Sequence, residues 1–166
     1  MLRHADKRAL VGSLVLAFTL TLIPYPMAAV KPYWVALVVI YWVLESPFLR
    51  QLGLLFSIGL MMDLMTGSLF GQHAMSLLIM TYLLLRFRQR LRFFQAWQLT
   101  GAVFLLLLND RILQLWVLWL SGQPPGFEYW LSPLTGAVMW PWVFLALDGY
   151  RSKSRRKRVV GDQNEL

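Results

Sequence analysis

Apolar residues dominate this chain in long runs, which short clusters of charge, proline and glycine separate. Such uncharged runs are typical of helices that cross a membrane, which need about 17–25 residues each. The segments between them are too short for a soluble domain, since chains below about 40 residues rarely fold unaided. The predicted helices are residues 9–24, 33–48, 51–66, 72–85, 96–120 and 133–150, followed by a basic tail at 151–166.

The composition supports one integral membrane domain over residues 1–166. Hydrophobic residues make up 58% and charged residues 14% of the chain, against about 45–50% and about 25% in soluble domains. There is no cysteine, so thiolate chemistry and disulfides are excluded, and the two histidines are far apart. We predict an all-α membrane protein that is not an enzyme and has no catalytic, cofactor-binding or metal-binding residues.

The distribution of basic residues predicts the topology. With six spans and a cytoplasmic N-terminus, 14 of the 16 lysines and arginines fall in cytoplasmic segments, and Lys31 alone lies outside. This asymmetry follows the positive-inside rule and favours six spans with both termini in the cytoplasm. Because the charges lie at membrane boundaries, nucleic acid is not an expected partner. Aromatic pairs at Tyr33-Trp34 and Tyr41-Trp42 are interpreted as marking the two interfaces of the second helix.

A row of small residues surrounds an acid in the third helix. Gly59, Asp63 and Gly67 lie at four-residue steps and therefore on one helical face, where another backbone can approach closely. Gly67 to Gly71 predicts a tight outer turn, and a kink is expected in the sixth helix. The predicted packing residues are Gly53, Gly59, Asp63, Gly67, Gly71 and Pro141.

Charged residues inside the predicted spans need a partner or a role. Counting from the cytoplasmic end, Asp63 lies about 18 Å deep, and Asp110 and Arg111 about 21–22 Å. We therefore hypothesise that Arg111 pairs with Asp63 or with both acids; alternatively, these side chains face a water-filled vestibule. The predicted intramembrane polar cluster is Asp63, Asn109, Asp110 and Arg111.

Two enzymatic or transport alternatives follow from the acids. An intramembrane aspartyl protease would need a Gly-x-Gly-Asp pattern, which neither acid has. Proton relay remains open, since a lone acid inside a membrane is a common element of transport.

Two basic clusters lie at the predicted cytoplasmic surface. Each suits anionic lipid, which attracts a basic residue by about 1 kcal/mol, and each also fixes topology. The predicted lipid-facing residues are Arg86, Arg88, Arg90, Arg92, Arg155, Arg156, Lys157 and Arg158.

Several motifs follow one another in a specific order along the chain: Lys31-Pro32-Tyr33-Trp34, Tyr41-Trp42, the glycines at 53, 59, 67 and 71, Asp63, Asp110, and Trp140-Pro141-Trp142-Val143-Phe144. Together they resemble the MreD family of bacterial rod shape-determining membrane proteins. The resemblance covers roughly residues 9–151, and Arg111 departs from it, since an apolar residue is expected there.

The resemblance implies a scaffold or regulator of the cell-elongation (rod) complex. The implied partners are MreC above all and, directly or indirectly, MreB, RodZ, RodA and its transpeptidase partner, with lateral peptidoglycan synthesis and rod shape as the output. It also implies a fold similar to the substrate-binding subunits of vitamin transporters. A small-molecule-binding transporter subunit is therefore the alternative function. We expect MreC to contact the surface of the second to fourth helices, because glycines line it.

Overall fold

A computed structural model describes residues 4–24, 31–45, 52–91, 93–120, 122 and 126–162. Within these ranges there are six α-helices, one short 3₁₀ helix and no strand, so the all-helical class is confirmed for this part of the chain. The helices are α1 (His4–Leu22), α2 (Trp34–Glu45), α3 (Leu52–Thr66), α4 (Gln72–Leu91), α5 (Ala96–Leu120) and α6 (Leu131–Asp162), with the 3₁₀ helix at Phe127–Trp130.

Three helices are longer than predicted, and α1 begins at His4 rather than at residue 9. Helix α4 continues to Leu91 rather than ending at residue 85, and α6 runs through Pro141 to Asp162, into the predicted tail. Arginine and lysine are good helix formers, so a helix that packing has fixed can continue through them. The kink at Pro141 stays a prediction, and residues 46–48, the predicted end of the second helix, lie outside the described residues.

Helix α2 is the centre of the bundle. It packs on α1, α4 and α6, and every residue from Val35 to Leu44 is buried. The other helices surround it in the order α1, α3, α4, α5, α6, with α6 returning to α1. A helix that is apolar on all sides suits this position, because it has no polar face to present to solvent.

The aromatic residues of α2 lie in the core, so their interpretation as interface markers is wrong for Tyr41 and Trp42. These residues are 0% and 1% exposed. The Trp42 indole Nε1–H donates a hydrogen bond to Ser13 Oγ of α1 at 2.8 Å, and the Tyr41 ring packs edge-to-face on Phe144 of α6 at 5.6 Å. A buried Trp needs such a partner for its N–H, which the sequence pattern does not reveal.

The outward faces of the helices are apolar. Leu64, Trp116 and Leu120 are 71%, 69% and 86% exposed. Large apolar side chains in such positions are typical of a surface that contacts lipid or another protein. By length and composition, α5 can cross a membrane, and residues 9–22, α2 and α3 form shorter apolar helices.

Candidate functional site

The carboxylate of Asp63 lies at the end of α3 and is surrounded by donors. Oδ2 accepts the Gly71 N–H at 2.8 Å. Oδ1 accepts the His73 N–H at 2.8 Å and the Ser68 hydroxyl at 3.0 Å, and His73 Nδ1 lies 2.9 Å from the same oxygen. Asp63 itself is 1% exposed. We call Asp63, Ser68, Gly71 and His73 the Asp63 cage.

The Asp63 cage compensates the start of α4. The first N–H groups of a helix have no partner within the helix, and they carry the positive end of its dipole. Across the turn, Asp63 accepts hydrogen bonds from N–H groups at this end of α4. These bonds stabilise a buried carboxylate that has no cation beside it. Gly67 and Gly71 have φ of 65° and 94°, which L side chains adopt only with strain, so this turn favours glycine at both positions.

Gly59 brings α3 and α4 into backbone contact. A Cβ at this position would lie 2.3 Å from the Ala74 Cα and 2.7 Å from its amide nitrogen. Gly53, by contrast, is exposed and would place a Cβ in open space. Gly59, one of the glycines expected to contact a partner protein, therefore packs within the protein instead. Helix α2 is buried and does not contribute to an outer surface.

A second polar group forms where α5 meets the start of α6. Arg111 Nη2 donates to Ser132 Oγ at 2.7 Å, and the Ser132 hydroxyl donates to the Lys31 carbonyl at 2.8 Å. The Arg111 guanidinium lies 4.7 Å above the Tyr129 ring, whose hydroxyl donates to the Arg111 carbonyl at 3.2 Å. Burial raises the pKa of Tyr129, so this phenol is a neutral donor. We call Lys31, Arg111, Tyr129 and Ser132 the Arg111 cluster.

The hypothesised ion pair between Asp63 and Arg111 is absent. Within the described residues, His73 Nδ1 lies 2.9 Å from Asp63 Oδ1, a contact that is ionic only when the imidazole is protonated, and Arg111 has no ion pair with either acid. The N–H groups at the start of α4 take the place of a cation beside Asp63. Asp110 is fully buried, and its Oδ2 accepts from Gln114 Nε2 at 2.8 Å.

A half-open cavity of about 170 Å³ lies between the Asp63 cage and the Arg111 cluster. We call it the polar cavity. Arg111 itself lines this space, and so does His73, a hydrogen-bond partner of Asp63, although Asp63 and Arg111 do not pair. Its principal polar lining residues are Lys31, Tyr33, Thr66, His73, Arg111 and Gln114.

Asn109 belongs to a different part of the molecule from the rest of the predicted polar cluster. It lines a groove of about 400 Å³ between α4 and α5, together with apolar side chains and Arg90. Its buried Oδ1 has no hydrogen-bond partner among the described residues. One helical step on α5 therefore separates a residue of the groove from the buried Asp110.

The predicted lipid-facing arginines have different environments. Arg86 and Arg90 are exposed at the end of α4. Arg88 instead donates from Nε and Nη2 to the Leu44 carbonyl, at 3.1 and 2.7 Å, and so compensates the C-terminus of α2. Arg92 lies outside the described residues. Residues 155–158 have helical backbone in α6, and their side chains, those of Arg155, Arg156, Lys157 and Arg158, lie outside the description.

Several residues of the site escape sequence reasoning. Ser68 and His73 could have been found by asking which acceptor satisfies the first N–H groups of α4. Lys31 and Ser132 could not, because 101 positions separate them in the chain. Lys31 also donates through Nζ to the carbonyls of Thr21 and Ile23, at the end of α1.

Comparison with known proteins identifies similar sequences but no similar solved structure. The family described as rod shape-determining protein MreD matches residues 8–148. The rod shape-determining protein MreD of Haemophilus influenzae is 34% identical over 144 residues, which cover 84% of this chain and 88% of that protein. No solved structure matches the chain.

Proposed function

The chain belongs to the MreD family of rod shape-determining proteins, and from this premise we propose that it is a non-enzymatic membrane scaffold of the cell-elongation complex. It acts with MreC to support lateral peptidoglycan synthesis. The family is one of shape-determining structural membrane proteins and is not a known enzyme family. MreB, RodZ, RodA and its transpeptidase partner contact the protein directly or through MreC.

The observation that carries the scaffold role is the use of Asp63 within the fold. A general acid or base must reach a substrate with the oxygen that exchanges its proton. Both Asp63 oxygens already accept bonds from the turn and from α4, and Asp110 is 0% exposed. The two buried acids thus support a packing role rather than catalysis.

We propose that all six helices cross the bacterial inner membrane, with both termini in the cytoplasm. The apolar outward faces support this, as does the concentration of 14 basic residues in the cytoplasmic segments of that arrangement. The exposed Arg86 and Arg90 then lie at the cytoplasmic surface, where they bind anionic lipid. Cofactors, metals and nucleic acid have no part in this role.

The outward face of α3 is the surface we assign to the membrane helix of MreC. Gly59 and α2 are enclosed, so the exposed glycine of the row lies on the opposite side of α3. Gly53 and Ser57 are small and exposed there, and the Ser57 hydroxyl bonds its own backbone at Gly53 rather than projecting outward. Small residues one turn apart allow two helices to approach closely in lipid.

Cysteine crosslinking tests this surface, because the natural chain has no cysteine. Ser57→Cys and Leu64→Cys on α3 are expected to crosslink to cysteines placed in the MreC membrane helix. Val138→Cys on α6 is the matched control, since it is 66% exposed on another face. Efficient crosslinking from Val138→Cys with none from α3 would place MreC on α6 instead.

Depletion in a rod-shaped bacterium tests the function itself. We expect rounded cells with normal uptake of small molecules, and recovery of rod shape with the wild-type chain. Rod-shaped depleted cells with a specific uptake defect would favour the transporter subunit. Sites for drug-sized ligands occupy about 300–1,000 Å³. The polar cavity of about 170 Å³ lies below this range, whereas the largely apolar groove of about 400 Å³ between α4 and α5 lies within it.

A further inference from the structure

The polar cavity has a lining that the scaffold role does not use. Arg111 commits one terminal nitrogen to Ser132, while a guanidinium carries five N–H donors in a planar fork. His73 and Gln114 add further polar groups to the wall. A planar fork of donors matches the oxygens of phosphate and carboxylate groups.

Tyr33 supplies an independent indication of a ligand. The residue is 7% exposed and lines the polar cavity, and its hydroxyl has no hydrogen-bond partner among the described residues. The ring is held edge-to-face against His73 at 5.8 Å. A buried hydroxyl without a partner costs about 1–3 kcal/mol, so a ligand that accepts its hydrogen bond would remove a cost the fold otherwise carries.

The nearby acids do not occupy the polar cavity. Asp63 directs its oxygens to the Asp63 cage, and Asp110 directs Oδ2 to Gln114. Neither acid lines the space, whereas Lys31 and Arg111 do. The charge presented to an entering group is therefore cationic.

We propose that the polar cavity binds a small oxyanion, a phosphate or carboxylate group, between the Arg111 guanidinium and the Tyr33 hydroxyl. Water occupies about 30 Å³ per molecule in the liquid, so the volume of about 170 Å³ accepts one such group and a few waters. The group is either a free anion or the head of a larger molecule that reaches the bundle from its surface. This binding does not depend on the scaffold role.

Thermal unfolding of the purified full chain in a neutral detergent tests the proposal, with inorganic phosphate as the probe. Phosphate is expected to raise the melting temperature above that in chloride at matched ionic strength. Arg111→Gln is expected to weaken the apparent phosphate affinity at least tenfold. Tyr33→Phe should weaken it severalfold while the ligand-free protein melts no lower than wild type, because the lost hydroxyl has no protein partner.

The matched control is Tyr82→Phe, which removes an exposed tyrosine hydroxyl on α4 outside the polar cavity and should leave the phosphate response unchanged. If Arg111→Gln does not fold, Tyr33→Phe still decides the question. Phosphate that acts no differently from chloride, or equally on wild type and Tyr33→Phe, would exclude a free phosphate ion as the ligand.

A second arm distinguishes the two sources of the anion. Wild type and Tyr33→Phe are compared in detergent with added phosphatidylglycerol. A shift with inorganic phosphate alone means that a free anion suffices. A Tyr33-dependent shift that appears only with phosphatidylglycerol means that a lipid headgroup supplies the phosphate. If neither addition gives a Tyr33-dependent shift, no oxyanion binds here.

Discussion

The Asp63 cage and the Arg111 cluster border the same cavity, yet they are assembled in opposite ways. Among the described residues, all partners of Asp63 lie within ten positions of it, in the turn that follows α3 and at the start of α4. The Arg111 cluster joins α5 to the start of α6 and, through Ser132, to a residue 101 positions away. Closing a short loop orders less chain than bringing distant segments together. The α3–α4 hairpin can therefore form early, whereas the Arg111 cluster requires the complete bundle.

The two regions also differ in how charge is compensated. The Asp63 cage neutralises a buried anion with backbone and side-chain donors of a helix start. The Arg111 cluster holds a cation with a hydroxyl and an aromatic face, 4.7 Å from the guanidinium. In the Asp63 cage both carboxylate oxygens already accept hydrogen bonds, and these bonds fix the turn between α3 and α4. The Arg111 cluster has Arg111 itself in the lining of the polar cavity, with only one terminal nitrogen bonded to Ser132, which suits binding rather than closure.

Removing the Asp63 carboxylate should have the largest effect. Asp63→Ala leaves the N–H groups of Gly71 and His73 without their acceptor, at an expected cost of about 1–3 kcal/mol for each. Asp63→Asn keeps one carbonyl oxygen and should cost less. Unfolding in detergent measures both.

The control for this prediction is Asp148→Asn, which changes an exposed acid on α6 and should have little effect. A loss below about 0.5 kcal/mol in Asp63→Ala, the usual limit for surface changes, would mean that the Asp63 cage does not hold the hairpin.

A methyl group at Gly59 should have the next largest effect. Its Cβ would lie 2.3 Å from the Ala74 Cα, so α3 and α4 must separate. Overpacking of this kind costs about 1–3 kcal/mol. Gly53→Ala is the matched control on the same helix, because its Cβ meets open space, and it should stabilise the protein by up to about 1 kcal/mol. Equal melting temperatures for the two variants would contradict a backbone contact at Gly59.

Structural features that depend on residues close together in the chain can be predicted from the sequence. The helix-forming runs, the small residue at 59 and the turn after residue 66 are all visible in patterns of period four or in glycine placement. Asp63 stands out as an acid in apolar sequence, and only the identity of its partner is hidden. A helix start ten residues on was a better candidate than a distant arginine, because its N–H groups necessarily lack partners.

What the sequence does not predict depends on how the helices are arranged around α2. Hydropathy makes Tyr41 and Trp42 equally suitable for an interface or a core, and burial by α1 and α6 decides between them. The sequence around Arg88 is that of a lipid-facing arginine. Only its hydrogen bonds to the Leu44 carbonyl show that it stabilises the end of α2. Such choices follow from contacts between residues far apart in the chain, for which a single sequence has no local signal.

Coupling energies between pairs of side chains are the smallest of the expected effects. They test directly whether the Asp63 cage and the Arg111 cluster are independent of each other. Because Arg111 bonds Ser132 at 2.7 Å, a cycle of Arg111→Gln with Ser132→Ala should show a coupling of about 1–2 kcal/mol, as for a hydrogen bond to a charged group. A cycle of Arg111→Gln with Asp63→Asn should be additive to within about 0.5 kcal/mol, since the two side chains share no contact. Unfolding of the three single and two double variants in detergent, beside wild type, measures both cycles. If the Asp63 cycle gave the larger coupling, the acid and the arginine would act as one unit, and the separation between a locally closed hairpin and a cation directed at the cavity would have to be abandoned.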